Sequence, residues 1–196
     1  MAGVSAFKEY SAVPNSNTQQ PVWHSRPVND PQANDWLFNQ QSLTSRLRQL
    51  SHGQFGVQPL FEGWQQLRAD ECQVLGCPPG SSGWARIVFL TGLDTPWVYA
   101  RSVASREQLL DSGFDLAGLG QRPLGELLFN DQAFDRGEIE ICQLQTTILS
   151  AAAQPYCQPG TSLLARRSCF TSGALKILVA EAFLPAFWQH LKQTSA

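Results

Sequence analysis

A single carboxylate, Glu181, lies in the middle of the almost entirely apolar residues 175–185. Side chains alternate in direction along a β-strand, so a strand here places Glu181 on the same face as Val179 and Phe183. An ionised carboxylate among apolar side chains is unstable unless a cation or hydrogen-bond donors meet it. Two explanations fit the pattern, a catalytic role and a structural ion pair, since carboxylates are buried for both reasons.

Two arginines, Arg86 and Arg101, lie in residues 84–91 and 96–103, which alternate like two strands around a short turn. A four-residue turn between these strands sets Arg86 opposite Arg101 on one face. Like charges in that position repel, so we expect an anion or an acidic side chain between them. Arginine binds carboxylates through two parallel hydrogen bonds, and this chemistry fits a small ligand with two carboxylates.

Backbone N–H groups at two predicted helix starts are further candidates for binding. Ser42 is a suitable N-cap before Leu43, and Pro123 is suited to the first turn of a helix that includes Leu124. The free amides of a helix start can bind a carboxylate. A plain packing helix also explains the second segment.

Mechanisms that depend on a recognisable loop motif have no support in the sequence. The chain contains no G-x-S-x-G, P-loop or G-x-G-x-x-G motif, so nucleophilic, phosphoryl-transfer and hydride-transfer chemistry is not predicted. The five cysteines form no C-x-x-C pair, and the three histidines lie far apart in the sequence. We therefore predict no metal site.

The composition indicates one globular domain of low charge. The chain has 196 residues, of which 43% are hydrophobic and 15% are charged, and its formal net charge is -2. This charge gives no electrostatic case for binding nucleic acid. Free thiols, a start without an apolar signal segment and the lack of a long apolar span favour a cytoplasmic location without membrane insertion.

The first part of the chain differs in composition from the rest. Residues 1–33 are rich in Pro, Asn, Gln and Ser, and they are predicted to form an extended arm that Trp23 can anchor. Asn34 and Asp35 are predicted to cap the first helix, and a second helix is expected after a break at Ser42. The predicted domain therefore comprises residues 34–196.

Tight turns join about six predicted strands, with helical segments before and between them. Two short strands are predicted at residues 55–59 and 61–67, a helix capped by Ser105 at residues 105–118, and an extended loop or hairpin excursion at residues 146–162. The predicted fold class is α+β, a single antiparallel β-sheet with helices covering one face.

A series of short motifs gives a more specific indication. They are Gln-Ser-Leu-Thr-Ser-Arg at residues 41–46, the hairpin at 84–103, Pro-Leu-Gly-Glu-Leu-Leu-Phe at 123–129, Ile-Glu-Ile at 139–141, Ala-Arg-Arg-Ser at 165–168 and Glu-Ala-Phe-Leu-Pro at 181–185. In order and spacing this series resembles the chorismate lyase family. The resemblance runs from about Trp23 to Trp188.

The resemblance implies a carbon–oxygen lyase that cleaves chorismate to 4-hydroxybenzoate and pyruvate in ubiquinone biosynthesis, without a cofactor or metal. Arg86 and Glu181 would be the catalytic residues, with Arg86 holding the ring carboxylate and Glu181 meeting the ring hydroxyl. Backbone groups at Leu43 and Leu124 would complete the substrate site. Arg101 would lie toward the enolpyruvyl carboxylate or the exit route.

The expected partners are chorismate and 4-hydroxybenzoate, with no nucleic acid, and the expected assembly is a monomer. The alternative is a non-catalytic module that senses a small molecule, because the ligand-sensing domains of some transcription regulators resemble the family in fold. Those regulators normally carry a winged helix, and the region before Trp36 is short, polar and not basic. A catalytically inactive scaffold is a third option.

Overall fold

Seven antiparallel strands form one sheet in the computed structural model, which describes residues 20–116, 119–130 and 134–194. The strands are β1 (Phe55–Gln66), β2 (Ser82–Gly92), β3 (Thr95–Ser105), β4 (Asp135–Arg136), β5 (Glu140–Gln145), β6 (Ser162–Ser172) and β7 (Leu175–Phe183). Their order across the sheet is β1-β2-β3-β7-β6-β4, and β5 also pairs with β6. The predicted α+β class with one antiparallel sheet is confirmed.

Six α-helices accompany the sheet in the described residues, and none of them has the length and apolar character needed to cross a bilayer. They are α1 (Pro31–Leu37), α2 (Leu43–Leu50), α3 (Ala69–Leu75), α4 (Arg106–Ser112), α5 (Leu124–Asn130) and α6 (Pro185–Thr194). Ser42 and Ser105 cap α2 and α4 through their side chains, as predicted.

The predicted start of the first helix is wrong. Asp30 is the N-cap of α1, since its carboxylate accepts a hydrogen bond of 3.1 Å from the Ala33 N–H. Pro31 then fills the first helical position, where its missing N–H costs nothing. Asn34 lies inside the helix, and its side chain exchanges hydrogen bonds with the backbone of Val28.

The two strands predicted at residues 55–59 and 61–67 are one long strand, β1. Pro59 pairs with Val88 and Phe61 pairs with Ile87, so Leu60 is an extra residue in β1. An extra residue of this kind is a β-bulge, which bends a strand without ending it. The sequence prediction mistook the bulge for a break.

A second bulge changes the register of the central hairpin. Thr91 pairs with Pro96, as predicted, but Gly92 also pairs with Thr95, so the turn has two residues and not four. Leu90 then pairs with Val98, so that Trp97 is skipped. As a result Arg86 lies opposite Ser102 and not opposite Arg101. The prediction that the two arginines face each other is wrong, because a shift of one residue turns every following side chain to the other face.

The sheet has two distinct faces, which we name by the arginine that each one carries. The Arg86 face packs against α1, α2 and α6 in one apolar cluster and against α4 and α5 in another. The Arg101 face packs against α3 and against two 3-10 helices, Thr146–Ile148 and Ala151–Tyr156. The sequence analysis missed α3 and predicted residues 146–162 as extended, so the cover on the Arg101 face is a finding of the structure.

Candidate active site

A cavity lies between the Arg86 face of the sheet and the helices α2 and α5. The volume open to water-sized molecules is about 50 Å³. That volume holds only a few waters, since one water needs roughly 10–15 Å³. A ring-sized ligand therefore needs more room than this closed cavity offers.

Three arginines and one glutamate are the charged side chains that line this cavity in the described residues. They are Arg86, Arg136, Arg166 and Glu181. The other lining residues are mostly apolar, with Ser102, Ser168 and Thr44 among the exceptions. The lining is therefore positive overall, although the whole chain carries a formal net charge of -2. Such a lining suits a small anion with more than one negative group.

Glu181 is held by Arg166. The two residues are register partners on β7 and β6, and Arg166 Nε donates a hydrogen bond of 2.6 Å to Glu181 Oε2. Arg166 is 1% exposed, and its Nη1 also donates to the backbone carbonyls of Trp36 at 2.9 Å and Asn39 at 3.2 Å. The structural ion pair considered for Glu181 therefore exists, and the same carboxylate also lines the cavity.

Arg86 extends into the cavity from β2, and hydrogen bonds hold two nitrogen atoms of its guanidinium group. Its Nε donates to Glu62 Oε1 at 2.5 Å, and its Nη2 donates to the backbone carbonyls of Gly120 at 2.7 Å and Arg122 at 3.0 Å. Glu62 is its register partner on β1. Arg86 thereby ties the segment before α5 to the sheet, and it sits where a carboxylate in the cavity could meet it.

Arg136 is a cavity residue that the sequence analysis did not identify. Its Nε donates to Ser168 Oγ at 2.9 Å, and its guanidinium lies 5.5 Å from the ring centres of both Phe129 and Phe170. The pKa of Arg136 is lowered to about 10, mainly by burial and also by the neighbouring charge of Arg166, while Glu181 raises it by a smaller amount. No local pattern marks Arg136, because β4 has only two residues.

Arg101 lies on the opposite face of the sheet and does not reach this cavity. Its Nε and Nη2 donate to the two carboxylate oxygens of Glu71 on α3, at 2.6 and 3.0 Å. Both side chains are buried, and Arg68 also binds Glu71. The predicted position of Arg101 beside Arg86 depended on the hairpin register that the bulge at Trp97 changes.

Leu43 and Leu124 close the cavity on the side away from the sheet. Each is the first residue of its helix, and both line the cavity. The two helix starts lie against each other, since a Cβ on Gly125 would stand 3.2 Å from Thr44 Oγ1. Contacts between their backbone groups and a ligand stay a prediction.

In the part of the chain that the structure describes, no group of three or more His, Cys, Asp and Glu side chains is placed to hold a metal ion. The chemistry available from the cavity side chains is binding of carboxylates by guanidinium groups, together with proton transfer or hydrogen bonding at Glu181.

Among solved structures, the effector domain of PhnF from Mycobacterium smegmatis is similar in fold. Its TM-score is 0.50 at 10% sequence identity, and the match covers 76% of this chain and 91% of that domain. At this identity the likeness concerns the fold alone.

Similarity in sequence is much closer to curated bacterial proteins. A probable chorismate pyruvate-lyase of Pseudomonas aeruginosa (strain UCBPP-PA14) is 57% identical over 158 residues, which are 81% of this chain and 86% of that protein. A probable chorismate pyruvate-lyase of Pseudomonas savastanoi pv. phaseolicola is 52% identical over 85% of this chain and 89% of its own length. The sequence profile of chorismate lyase matches residues 18–193. With nearly the whole chain accounted for in this way, the protein belongs to the chorismate lyase family.

Proposed function

We propose that the protein is a chorismate pyruvate-lyase that cleaves chorismate to 4-hydroxybenzoate and pyruvate, the first step of ubiquinone biosynthesis. The observation that carries the proposal is the cavity, in which three guanidinium groups and one carboxylate lie in a mostly apolar lining. The similarity to probable chorismate pyruvate-lyases over more than four-fifths of the chain supports the same activity.

In the proposed reaction, the ether bond between the ring and the enolpyruvyl group breaks, and the electron pair leaves with enolpyruvate. The ring loses the proton on the carbon that bears the hydroxyl group and becomes aromatic, and enolpyruvate takes up a proton to give pyruvate. Aromatisation drives the reaction downhill. The protein must therefore orient the substrate, exclude water and stabilise the negative charge on the leaving group.

The side chains of the cavity supply these functions. Arg86 binds the ring carboxylate, and its contacts to Glu62 and to the backbone before α5 fix its direction. Glu181 meets the ring hydroxyl end, where it polarises the hydroxyl or accepts the departing proton. Leu43 and Leu124 hold the ring against the sheet and keep water out.

The proposal includes no cofactor or metal and a monomeric protein in the cytoplasm. The five cysteines are all free, and free thiols suit a reducing compartment. One chain contributes all of the cavity side chains named above, which is consistent with the proposed monomer.

The direct test is incubation of the purified protein with chorismate. We expect the ultraviolet absorbance of 4-hydroxybenzoate to appear together with an equal amount of pyruvate, which a coupled lactate dehydrogenase assay measures. Heat-denatured protein serves as the control for spontaneous breakdown of chorismate. Calorimetric binding of chorismate without formation of either product would overturn the proposal and favour the sensing module.

A further inference from the structure

Arg136 differs from the other two arginines of the cavity in its partners. Arg86 pairs with Glu62, and Arg166 pairs with Glu181. Within residues 20–116, 119–130 and 134–194, no carboxylate lies within salt-bridge distance of Arg136. A partly buried guanidinium without a counter-ion is costly, so a ligand that brings a negative charge to it gains affinity.

Arg136 is nevertheless held firmly in one direction. Ser168 Oγ accepts from its Nε, and the carbonyl of Gln40 accepts from its Nη1 at 2.9 Å. Its guanidinium also lies 5.5 Å from the ring centres of Phe129 and Phe170, which contact each other. These contacts are typical of a pre-positioned binding group, because less side-chain freedom is lost when a ligand arrives.

A second cation lies close to Arg136. The backbone carbonyl of Asn39 accepts from Arg136 Nη1 at 3.4 Å and from Arg166 Nη1 at 3.2 Å, so both guanidinium groups approach one oxygen atom. Glu181 balances only one of these two charges. The remaining repulsion between Arg136 and Arg166 is relieved when one more carboxylate binds between them.

The strands that carry this pair of cations are well separated from the strand of Arg86. Arg86 on β2 and Arg136 on β4 are four strand spacings apart, roughly 19 Å between backbones at about 4.8 Å per spacing. Both side chains reach the same cavity, with Glu181 on β7 between them. A ligand with a carboxylate at each end and a hydroxyl between can therefore meet all three groups.

We infer that Arg136, with Arg166 beside it, forms the subsite for the second carboxylate of the substrate, the one on the enolpyruvyl group. The inference rests on the proposed function and replaces Arg101 in that role. Pyruvate carries this carboxylate away, and 4-hydroxybenzoate keeps only the carboxylate that Arg86 binds. Arg136 therefore favours the substrate over the aromatic product.

The kinetic test compares wild-type protein with Arg136→Gln and Arg136→Lys. For Arg136→Gln we expect the KM for chorismate to rise roughly 30-fold or more, as when one partner of a buried charge pair is removed. The inhibition constant of 4-hydroxybenzoate should change less than about threefold, because a distant contact is unaffected. Arg136→Lys keeps the positive charge, so its KM for chorismate should lie between those of the wild type and Arg136→Gln. Arg106→Gln, an exposed arginine on α4, is the matched control.

A binding test separates this inference from the proposed activity. Calorimetry would compare 3-(carboxymethoxy)benzoate, which has two carboxylates joined through an ether, with 3-methoxybenzoate, which has one. Wild-type protein should bind the dicarboxylate more tightly, and Arg136→Gln should lose that preference while it keeps the near-ultraviolet circular dichroism of the folded protein.

Each outcome decides one claim. A preference for the dicarboxylate that depends on Arg136, found in a protein that does not turn over chorismate, would refute the activity and leave the subsite standing. Equal losses of chorismate and 4-hydroxybenzoate binding in Arg136→Gln would overturn the subsite, as would an unchanged KM in an active enzyme.

Discussion

Glu181 and Arg166 act on each other within the cavity. The carboxylate neutralises a guanidinium that is 1% exposed, and the guanidinium stabilises a carboxylate among apolar side chains. The ion pair holds Glu181 in a defined direction. Arg166 is held in turn by hydrogen bonds to the backbone carbonyls of Trp36 and Asn39. Under the proposed function Arg166 positions Glu181, so the ion pair and the proposed catalytic role belong to the same carboxylate.

Replacement of Glu181 by Gln tests the catalytic half of this account. Gln retains an oxygen that can accept from Arg166, but it cannot take up a proton. We expect kcat to fall by roughly 10²–10⁴-fold, the usual contribution of a general acid or base. Stopped-flow or steady-state assays of 4-hydroxybenzoate formation measure this. Glu107→Gln, an exposed glutamate on α4, should retain normal kcat, and a normal kcat in Glu181→Gln would remove it from the mechanism.

Arg86 makes a prediction about binding of the product. Arg86→Ala should weaken binding of 4-hydroxybenzoate by roughly 2–4 kcal/mol, because the ring carboxylate loses its buried partner. Titration calorimetry gives the value. Arg86 also ties the segment before α5 to the sheet, so thermal unfolding must show that the variant is folded at the assay temperature. An unchanged Kd would place the ring carboxylate elsewhere.

Among the secondary structure elements, α3 is attached to the sheet by a buried ion pair as well as by apolar packing. Glu71 on α3 accepts two hydrogen bonds from Arg101 on β3, and both the side chain and the backbone N–H of Arg68 also bind it. Burial raises the pKa of Glu71, but Arg101 and Arg68 outweigh burial and hold the pKa at about 2. Arg101 therefore supports the back of the sheet on which Arg86 and Glu181 stand.

The lowered pKa of Glu71 predicts how stability depends on pH. The ordinary value is 4.5 and the value in the folded protein is about 2, so the ionised carboxylate stabilises the fold above about pH 4.5. This contribution is lost as the pH falls from there toward 2. Its size is on the order of 3 kcal/mol, since one pKa unit is worth about 1.4 kcal/mol. Urea unfolding at a series of pH values measures the decline.

Two variants check the origin of that decline. Glu71→Gln should be less stable at pH 7 and should show a flatter dependence on pH, whereas Glu107→Gln should behave as the wild type. Arg101→Gln should lose stability at pH 7, because Glu71 is left without its main partner. The KM of Arg101→Gln for chorismate should equal that of the wild type under conditions in which the variant is folded. A raised KM with unchanged stability would return Arg101 to the substrate site.

At the scale of the whole molecule, the segment before α1 joins elements that are distant in sequence. The backbone of His24 pairs with Ile141 on β5 through hydrogen bonds of 3.0 and 2.7 Å. Trp23 donates to Asp70 on α3 at 3.1 Å and lies under the guanidinium of Arg167 on β6, 4.5 Å from its ring centre. The predicted anchoring function of Trp23 fits these contacts. The division at residue 34 stays a prediction, and residues 1–19 lie outside the described part.

The contacts of Trp23 predict a measurable loss of stability. Trp23→Ala should lower the free energy of unfolding by about 2–3 kcal/mol, through loss of a hydrogen bond to a charged group and of the cation–π contact. Trp23→Phe retains the ring and should lose less. Denaturant unfolding provides the values, with Val22→Ala as the control because Val22 is 75% exposed. Equal stabilities of Trp23→Ala and Val22→Ala would show that the segment is not anchored there.

Local patterns in the sequence were sufficient for the fold class, for the caps Ser42 and Ser105, and for Glu181 as an acid in an apolar strand. Alternation, capping and turn residues act over a few positions, so they are visible without the fold. The order of short motifs was sufficient for the family. The first helix cap was also readable, since Asp30 followed by Pro31 is a local signal that the sequence analysis passed over.

The face on which each arginine lies was decided by the tertiary structure. Because Trp97 is skipped in the pairing, Arg101 lies on the opposite face of the sheet from Arg86, and no residue near Trp97 indicates a bulge in the sequence. Arg136 reaches the cavity through contacts with Asn39, which is 97 positions away in the sequence. Register and long-range contacts depend on how the whole sheet packs. The sequence by itself therefore determined Glu181 and Arg86 as candidates for the site, and packing determined that Arg136 and Arg166 join them while Arg101 does not.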